Sequence, residues 1–173
     1  MTAGTAHGLG GGPASVVLPM IRWLEGVPSS LHGWLTALWE LGLRVSVAIV
    51  FFRSGETKVV SAGWWDVGSW WSITDTTVLL FREEYRLPVL PPGVAAYLAT
   101  TVEHVAPALL ILGLGSRLSA AVLLGMTMVI QVFVYPEHWQ EHLLWAAPLV
   151  YVLVRGPGRL SIDHLIRRSI APS

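Results

Sequence analysis

Four long apolar stretches, at about residues 35–52, 93–114, 117–135 and 138–154, constrain this chain more than any other feature. Each is close to the ~20 residues that a helix needs to cross a hydrocarbon core of ~30 Å. Lipid offers no partner to a free N–H or C=O, so a stretch of this kind spans as a helix. Composition agrees: 53% of the residues are hydrophobic and only 13% are charged, too few to cover a soluble domain of this size. The reading is an all-α, polytopic membrane protein, a four-transmembrane-helix bundle over residues 31–158, with no room for a second folded unit.

The punctuation between the spans supports these limits. Pro91-Pro92 cannot continue an earlier helix and opens the second span. Gly115-Ser116 is so short a link that the second and third spans form an antiparallel pair. Pro136 closes the third span, and Gly156-Pro157-Gly158 ends the fourth, which is the shortest and is expected to lie partly among headgroups. Ahead of the bundle, residues 1–30 read as a disordered or interfacial segment. Residues 1–15 are rich in Gly and Ala without the basic start of a cleaved signal peptide, and 16–34 are too interrupted by Arg22 and Glu25 to span. After it, residues 159–173 carry LSIDHLIRR, where Ser161 as cap, Asp163 in the first turn and a basic end predict a short surface helix and tail.

Cations near the span ends set orientation. Arg22, Arg117, Arg155, Arg159, Arg167 and Arg168 fall on one side, Arg53, Lys58, Arg82 and Arg86 on the other, so both termini are expected in the cytoplasm. The loop 54–92 holds GWWDVGSWW, whose aromatic pairs Trp64-Trp65 and Trp70-Trp71 suit a helical segment anchored at the membrane surface or a lid over the bundle. A formal net charge of zero speaks against nucleic acid as a partner. The lack of cysteine removes thiol relays, CxxC redox centres, disulfides and thiolate nucleophiles. Redox work would then fall to a bound cofactor, a quinone, a non-cysteine metal site or a partner subunit.

Ionisable groups inside hydrocarbon are costly, so each is a functional candidate. Counting 1.5 Å per residue from the expected span ends puts Arg44 and Glu103 both near the midplane, at about 14 and 15 Å depth. They are the expected ion pair, within about 4–5 Å, with Glu40 one turn from Arg44 as the rival partner. Two roles stay open for the pair: a clamp on helix register, or a proton-accepting carboxylate beside a fixed guanidinium. A second cluster is expected at the outer side: Gln131 and Tyr135 one turn apart, His138, Glu141 and His142 opening the fourth span, and Lys58 just past the first. His138 and His142 have metal-ligand spacing, yet the third candidate, His104, sits about 10 Å deeper, so no metal is expected. Gly42 and Gly125 are read as sites of close helix approach, and Met126 and Met128 as gap fillers.

Several segments together resemble the DoxX family. They are Arg44 with Arg53-Ser54-Gly55 and Lys58, the stretch EEYRLPVLPPGVAAYLATTVEHVAPALLILGLGSRLSA, then GMTMVIQVFVYPEHWQEHLLWA, and the closing RGPGRLSIDHL, covering about residues 35–165. The family is similar to a wider group of four-helix membrane proteins that includes the DoxD subunit of thiosulfate:quinone oxidoreductase and the membrane part of vitamin K-dependent carboxylase. The resemblance implies a four-helix fold, a bacterial inner-membrane home and quinone-linked redox chemistry. It implies a polar signature of Arg44, Gly55, Lys58, Glu103, Arg117, Gln131, His138 and His142.

The first functional expectation is a quinone-associated membrane subunit of an oxidoreductase system, working with a protein partner that performs the other half-reaction. In it the ring carbonyls lie near Lys58, Gln131, Tyr135, His138 and His142, while Glu103 with Arg44 handles protons. The competing readings are a non-catalytic accessory or assembly subunit of a larger complex, suggested by the small size, and a small-solute or proton-coupled transporter. The lack of an evident internal repeat argues against the transporter.

Overall fold

In the computed structural model, residues 29–60, 63 and 66–170 are described. The expectations for residues 1–28, for Trp64 and Trp65 and for the last three residues lie outside them. Helices follow one another along the chain: α1 (Ser29–Glu56), α2 (Asp75–Leu80), α3 (Pro92–Leu112), α4 (Ser116–Val129), α5 (Trp139–Arg155) and α6 (Ile162–Ile170). A 3-10 turn, Val67–Trp71, precedes α2, and π-helical turns extend α2 through Phe81–Tyr85 and α4 through Ile130–Val134. The chain divides into two compact units, Met1–Thr36 and Ala37–Ser173, and the bundle core and the sites below belong to the second.

The protein is an all-α polytopic membrane protein. α1, α3 and α4 with its π turn are long and apolar enough to cross a membrane, and α5, with 17 residues, is the short fourth member. Their common core consists of Val47, Ala48 and Phe51 from α1, Ala106 and Leu110 from α3, Ala120 and Leu123 from α4, and Leu149 and Val152 from α5. In lipid there is no hydrophobic drive between helices, so contact depends on close packing, and Ala48, Ala106 and Ala120 are small enough to allow it. The outward faces are apolar instead of charged, with Leu118 72% and Leu144 73% exposed. That inversion of the soluble pattern is what a lipid solvent requires.

α3, α5 and α4 with its π turn start and stop within three residues of the expected limits. α1 does not: it runs from Ser29 to Glu56, well beyond 35–52 at both ends. Residues 29–34 therefore belong to the helix. The signal lay in Pro28-Ser29-Ser30, a helix-start sequence. Gly42 and Gly125 also differ from expectation. A Cβ on either would meet nothing within 4 Å, so they are not sites of close approach. The bundle has a loop end, where α1 finishes and α3 begins, and a tail end, where α3 meets α4 and α5 leads into α6.

Candidate functional site

Lys58 is the chain's only lysine, and it is buried. Its ammonium lies 3.0 Å from Oε1 and 2.8 Å from Oε2 of Glu103. It also donates to the Ser54 hydroxyl at 2.9 Å and to the Ser54 carbonyl at 3.0 Å. The Ser54 hydroxyl in turn donates to Glu103 Oε1 at 3.0 Å. The Lys58 and Glu103 side chains are only 6% and 5% exposed. Oε2, 2.8 Å from the ammonium, completes the ion pair and is itself buried.

The local sequence R-S-G-E-T-K explains the placement. α1 carries Ser54 and Gly55 on its last turns against α3, and a Cβ on Gly55 would lie 2.7 Å from His104 Cε1 and 3.1 Å from Glu103 Cβ. Glycine is what lets the two helices come this close. After α1 the chain turns back, and the Lys58 carbonyl accepts from the Thr74 amide at 3.1 Å and the Thr77 hydroxyl at 2.9 Å. A single antiparallel bridge between Val59 and Ile73 closes that loop. Lys58 is thus fixed at its backbone and at its tip.

The pair forms one polar patch in the wall of a cavity of about 270 Å³. Most of the remaining wall is hydrocarbon or aromatic, including Phe51, Val102, Met126 and Trp145. Both π-helical turns reach it, one through Phe81 and Tyr85, the other through Ile130 and Val134. π turns are uncommon and often sit at functional sites. Tyr135 lines the cavity as well; its hydroxyl donates to the exposed Glu84 carboxylate, and its ring meets that of Tyr85 at 5.9 Å, nearly edge-on. The hydrogen bond to Glu84, with some burial, raises Tyr135 above the ordinary tyrosine range, and burial raises Tyr85.

Arg44 is not Glu103's partner. It is fully buried at the tail end, where it donates to the carbonyls of Leu110 at 3.1 Å, Ile111 at 3.2 Å and Leu160. Glu40, the rival partner, accepts from Tyr151 at 3.3 Å and abuts Gly158, where a Cβ would fall 2.0 Å from Glu40 Oε2. Gly113 similarly leaves space for Arg44 Nη1, 2.5 Å from where its Cβ would be. The depth argument failed on register. Because α1 continues to Glu56, its residue 54 stands beside Glu103, and Arg44, ten residues or ~15 Å further down, stands beside Leu110.

The remaining expected residues separate. Lys58 and Tyr135 reach the cavity. Gln131 and His142 form their own pair: the Gln131 amide donates to the Pro136 carbonyl at 2.8 Å, so its oxygen faces His142 Nδ1 at 2.7 Å, and that nitrogen carries the proton. His142 packs on Trp145, ring centres 5.0 Å apart. The pair therefore stands behind the cavity wall. His138 is exposed, 3.6 Å from Glu141 and stacked on Tyr135. Among the described residues no group of three His, Asp or Glu side chains gathers at metal-binding range.

His104 lies beside the cluster, against Gly55 on the last turns of α1. It donates from Nδ1 to the Thr100 carbonyl at 2.8 Å, leaving Nε2 buried without a partner, and Trp70 stacks on it at 5.2 Å. Trp70 belongs to the expected helical turn in the loop, but it packs against Phe52 and His104; Trp71 is the exposed member of the pair.

Fold and site define a class: a small polytopic helix bundle with a buried lysine–glutamate pair bordering an apolar cavity. The DoxX family model matches residues 39–136, more than half of the chain, and the chain belongs to that family. The matched segment contains Arg44, Lys58, Glu103, Gln131 and Tyr135, while α5 and α6 lie beyond it. Neither a curated protein nor a solved structure matches the chain.

Proposed function

We propose that this DoxX-family protein is a quinone-binding membrane subunit of an oxidoreductase system in the bacterial inner membrane, with both termini cytoplasmic and a protein partner supplying the other half-reaction. The observation that carries this reading is the Lys58–Glu103–Ser54 cluster in the wall of an otherwise apolar cavity. A quinone ring needs flat apolar walls, a donor for a carbonyl and an acceptor for a hydroxyl proton. Aromatic and aliphatic side chains supply the first, and the Lys58–Glu103–Ser54 cluster, by exchanging one of its internal hydrogen bonds for one to the ring, supplies the other two. The cavity volume is near the lower end of ordinary small-molecule pockets, ~300 Å³, and suits a ring more than a whole lipid.

A bound quinone supplies two-electron, two-proton chemistry. The chain's own residues hold the ring and manage protons. Lys58 is held by Glu103 and Ser54, so its charge is available at the wall without being free to move. Tyr135, in the wall with its hydroxyl on exposed Glu84, leads from the cavity toward water. Arg44 takes no part in this reading, since its guanidinium is committed to backbone carbonyls.

The test uses the lone lysine. A short-tailed quinone should raise the melting temperature of the purified protein and slow the reaction of Lys58 with an amine reagent, read by peptide mass spectrometry. Glu103→Gln should weaken both effects. No thermal shift and unchanged labelling at saturating quinone would remove the support for this function.

A further inference from the structure

A second site lies at the tail end. Arg117, on the first turn of α4, donates from Nη2 to the Val154 carbonyl at 3.1 Å. Arg167, on α6, donates from Nε to the Asp163 carbonyl at 3.1 Å. The two guanidiniums come from different helices yet converge over Gly156. The point where a Cβ would stand on that glycine is 3.8 Å from both Nε and Nη2 of Arg117 and 4.0 Å from Nη2 of Arg167. Two like charges held this near each other attract an anion, and a guanidinium's planar fork suits phosphate oxygens.

Both arginines also line a hollow of about 310 Å³, together with Leu118, Pro157, Asp163 and Ile166. Leu118 lies on the outward apolar face of α4, and Ile166 is exposed. Asp163 lies in the same lining and offsets part of the charge of Arg167, but one carboxylate leaves the two guanidiniums with net positive charge. Its Oδ1 accepts from the Gly115 amide at 2.8 Å, and its Oδ2 accepts from the Ser116 amide and hydroxyl, both at 2.9 Å. It is occupied as the cap of α4. Arg155, Arg159 and Arg168 add positive charge around the same end.

We propose that Arg117 and Arg167 form a binding site for the phosphate of an anionic glycerophospholipid, with acyl chains descending along Leu118 and Ile166. The apolar rim favours a lipid over a free phosphate, because an amphiphile meets both halves of the hollow at once. The site also gives α6 a reason to lie at the membrane surface: Leu165 and Ile170 are exposed on a helix that ends in Arg167 and Arg168.

The experiment is native mass spectrometry and thermal melting of the full chain in neutral detergent with phosphatidylglycerol, phosphatidylcholine or inorganic phosphate. Phosphatidylglycerol should stay bound one to one and raise the melting temperature, and the other two should do neither. In an Arg117→Gln/Arg167→Gln variant retention should fall roughly 30-fold, the attraction of two surface arginines to anionic lipid. Arg53→Gln, a charge removed at the loop end, should leave it unchanged. Equal retention of the two lipids, an equal shift with inorganic phosphate, or full retention by the double variant would overturn the proposal. Should the double variant not fold, the comparison of the three ligands on the wild-type chain decides by itself.

Discussion

The two ends of the bundle each bury a cation, and they settle it differently. At the loop end Lys58 faces a carboxylate and a hydroxyl from neighbouring elements, beside a cavity. At the tail end Arg44 faces backbone carbonyls of α3 and of the turn before α6. Carbonyl dipoles cannot accept a proton or leave, so Arg44 fastens chain segments together. A carboxylate can accept a proton, and this one stands in the wall of a cavity. Burial of charge alone does not mark a reactive site; the nature of the partner does.

The largest expected effect follows from that contrast. Arg44→Ala strands carbonyls on two segments, and should lower stability by about 3–5 kcal/mol in a detergent unfolding titration, the range for breaking a buried charged network. Because its acceptors are backbone, no second side-chain substitution should rescue it. Finding a rescue would make the two ends alike.

Glu103→Ala should cost about 3 kcal/mol by leaving Lys58 buried without its counter-charge. Here rescue is expected: Lys58→Met combined with Glu103→Leu should return to within about 1 kcal/mol of the wild type, since apolar replacements of a buried pair are often neutral. The same double variant should lose the quinone-induced thermal shift. Persistence of the shift in that variant would separate the pair from the ligand.

A smaller effect is expected at Gly55. Gly55→Ala places a methyl 2.7 Å from His104 Cε1, and should cost about 1–3 kcal/mol as overpacking between α1 and α3. At Gly125, where a Cβ meets nothing, alanine should be neutral or slightly stabilising through better helix propensity. Parallel melting curves of the two variants test the pair.

The smallest effect is at Asp163. Burial raises its carboxyl, but the amide hydrogen bonds from Ser116 and Gly115, the Ser116 hydroxyl and Arg167 outweigh that and hold it below the usual range. A depressed carboxyl contributes stability above its unfolded value, about 3.9, and loses that contribution as pH falls through the folded value. Asp163→Asn should therefore cost about 1 kcal/mol near neutral pH, as the loss of a helix cap does, and the gap from wild type should close in acid. A gap that stays constant from neutral pH to pH 3 would mean the carboxylate's charge is irrelevant to the cap.

Solvent and architecture were legible in the residue pattern alone. Spans of the right length, ended by Pro and Gly, specify lipid-crossing helices, because the bilayer imposes one length and one secondary structure on whatever crosses it. The pattern also singled out Lys58, Glu103, Arg44 and Tyr135 as polar residues out of place. Which side chains meet became visible in the folded bundle. Depth estimated from span ends is uncertain by a turn or more, and α1 proved longer than its apolar stretch. That moved Ser54 beside Glu103 and Arg44 down to Leu110. The π turns that bring Tyr85 and Ile130 to one cavity leave no trace in hydropathy, since a π turn differs from an α turn in hydrogen-bond register and not in composition. The convergence of Arg117 and Arg167 was equally hidden. Fifty residues separate them in the chain, and only the glycine turn at 156, with no side chain to fill the gap, brings their charges to one point.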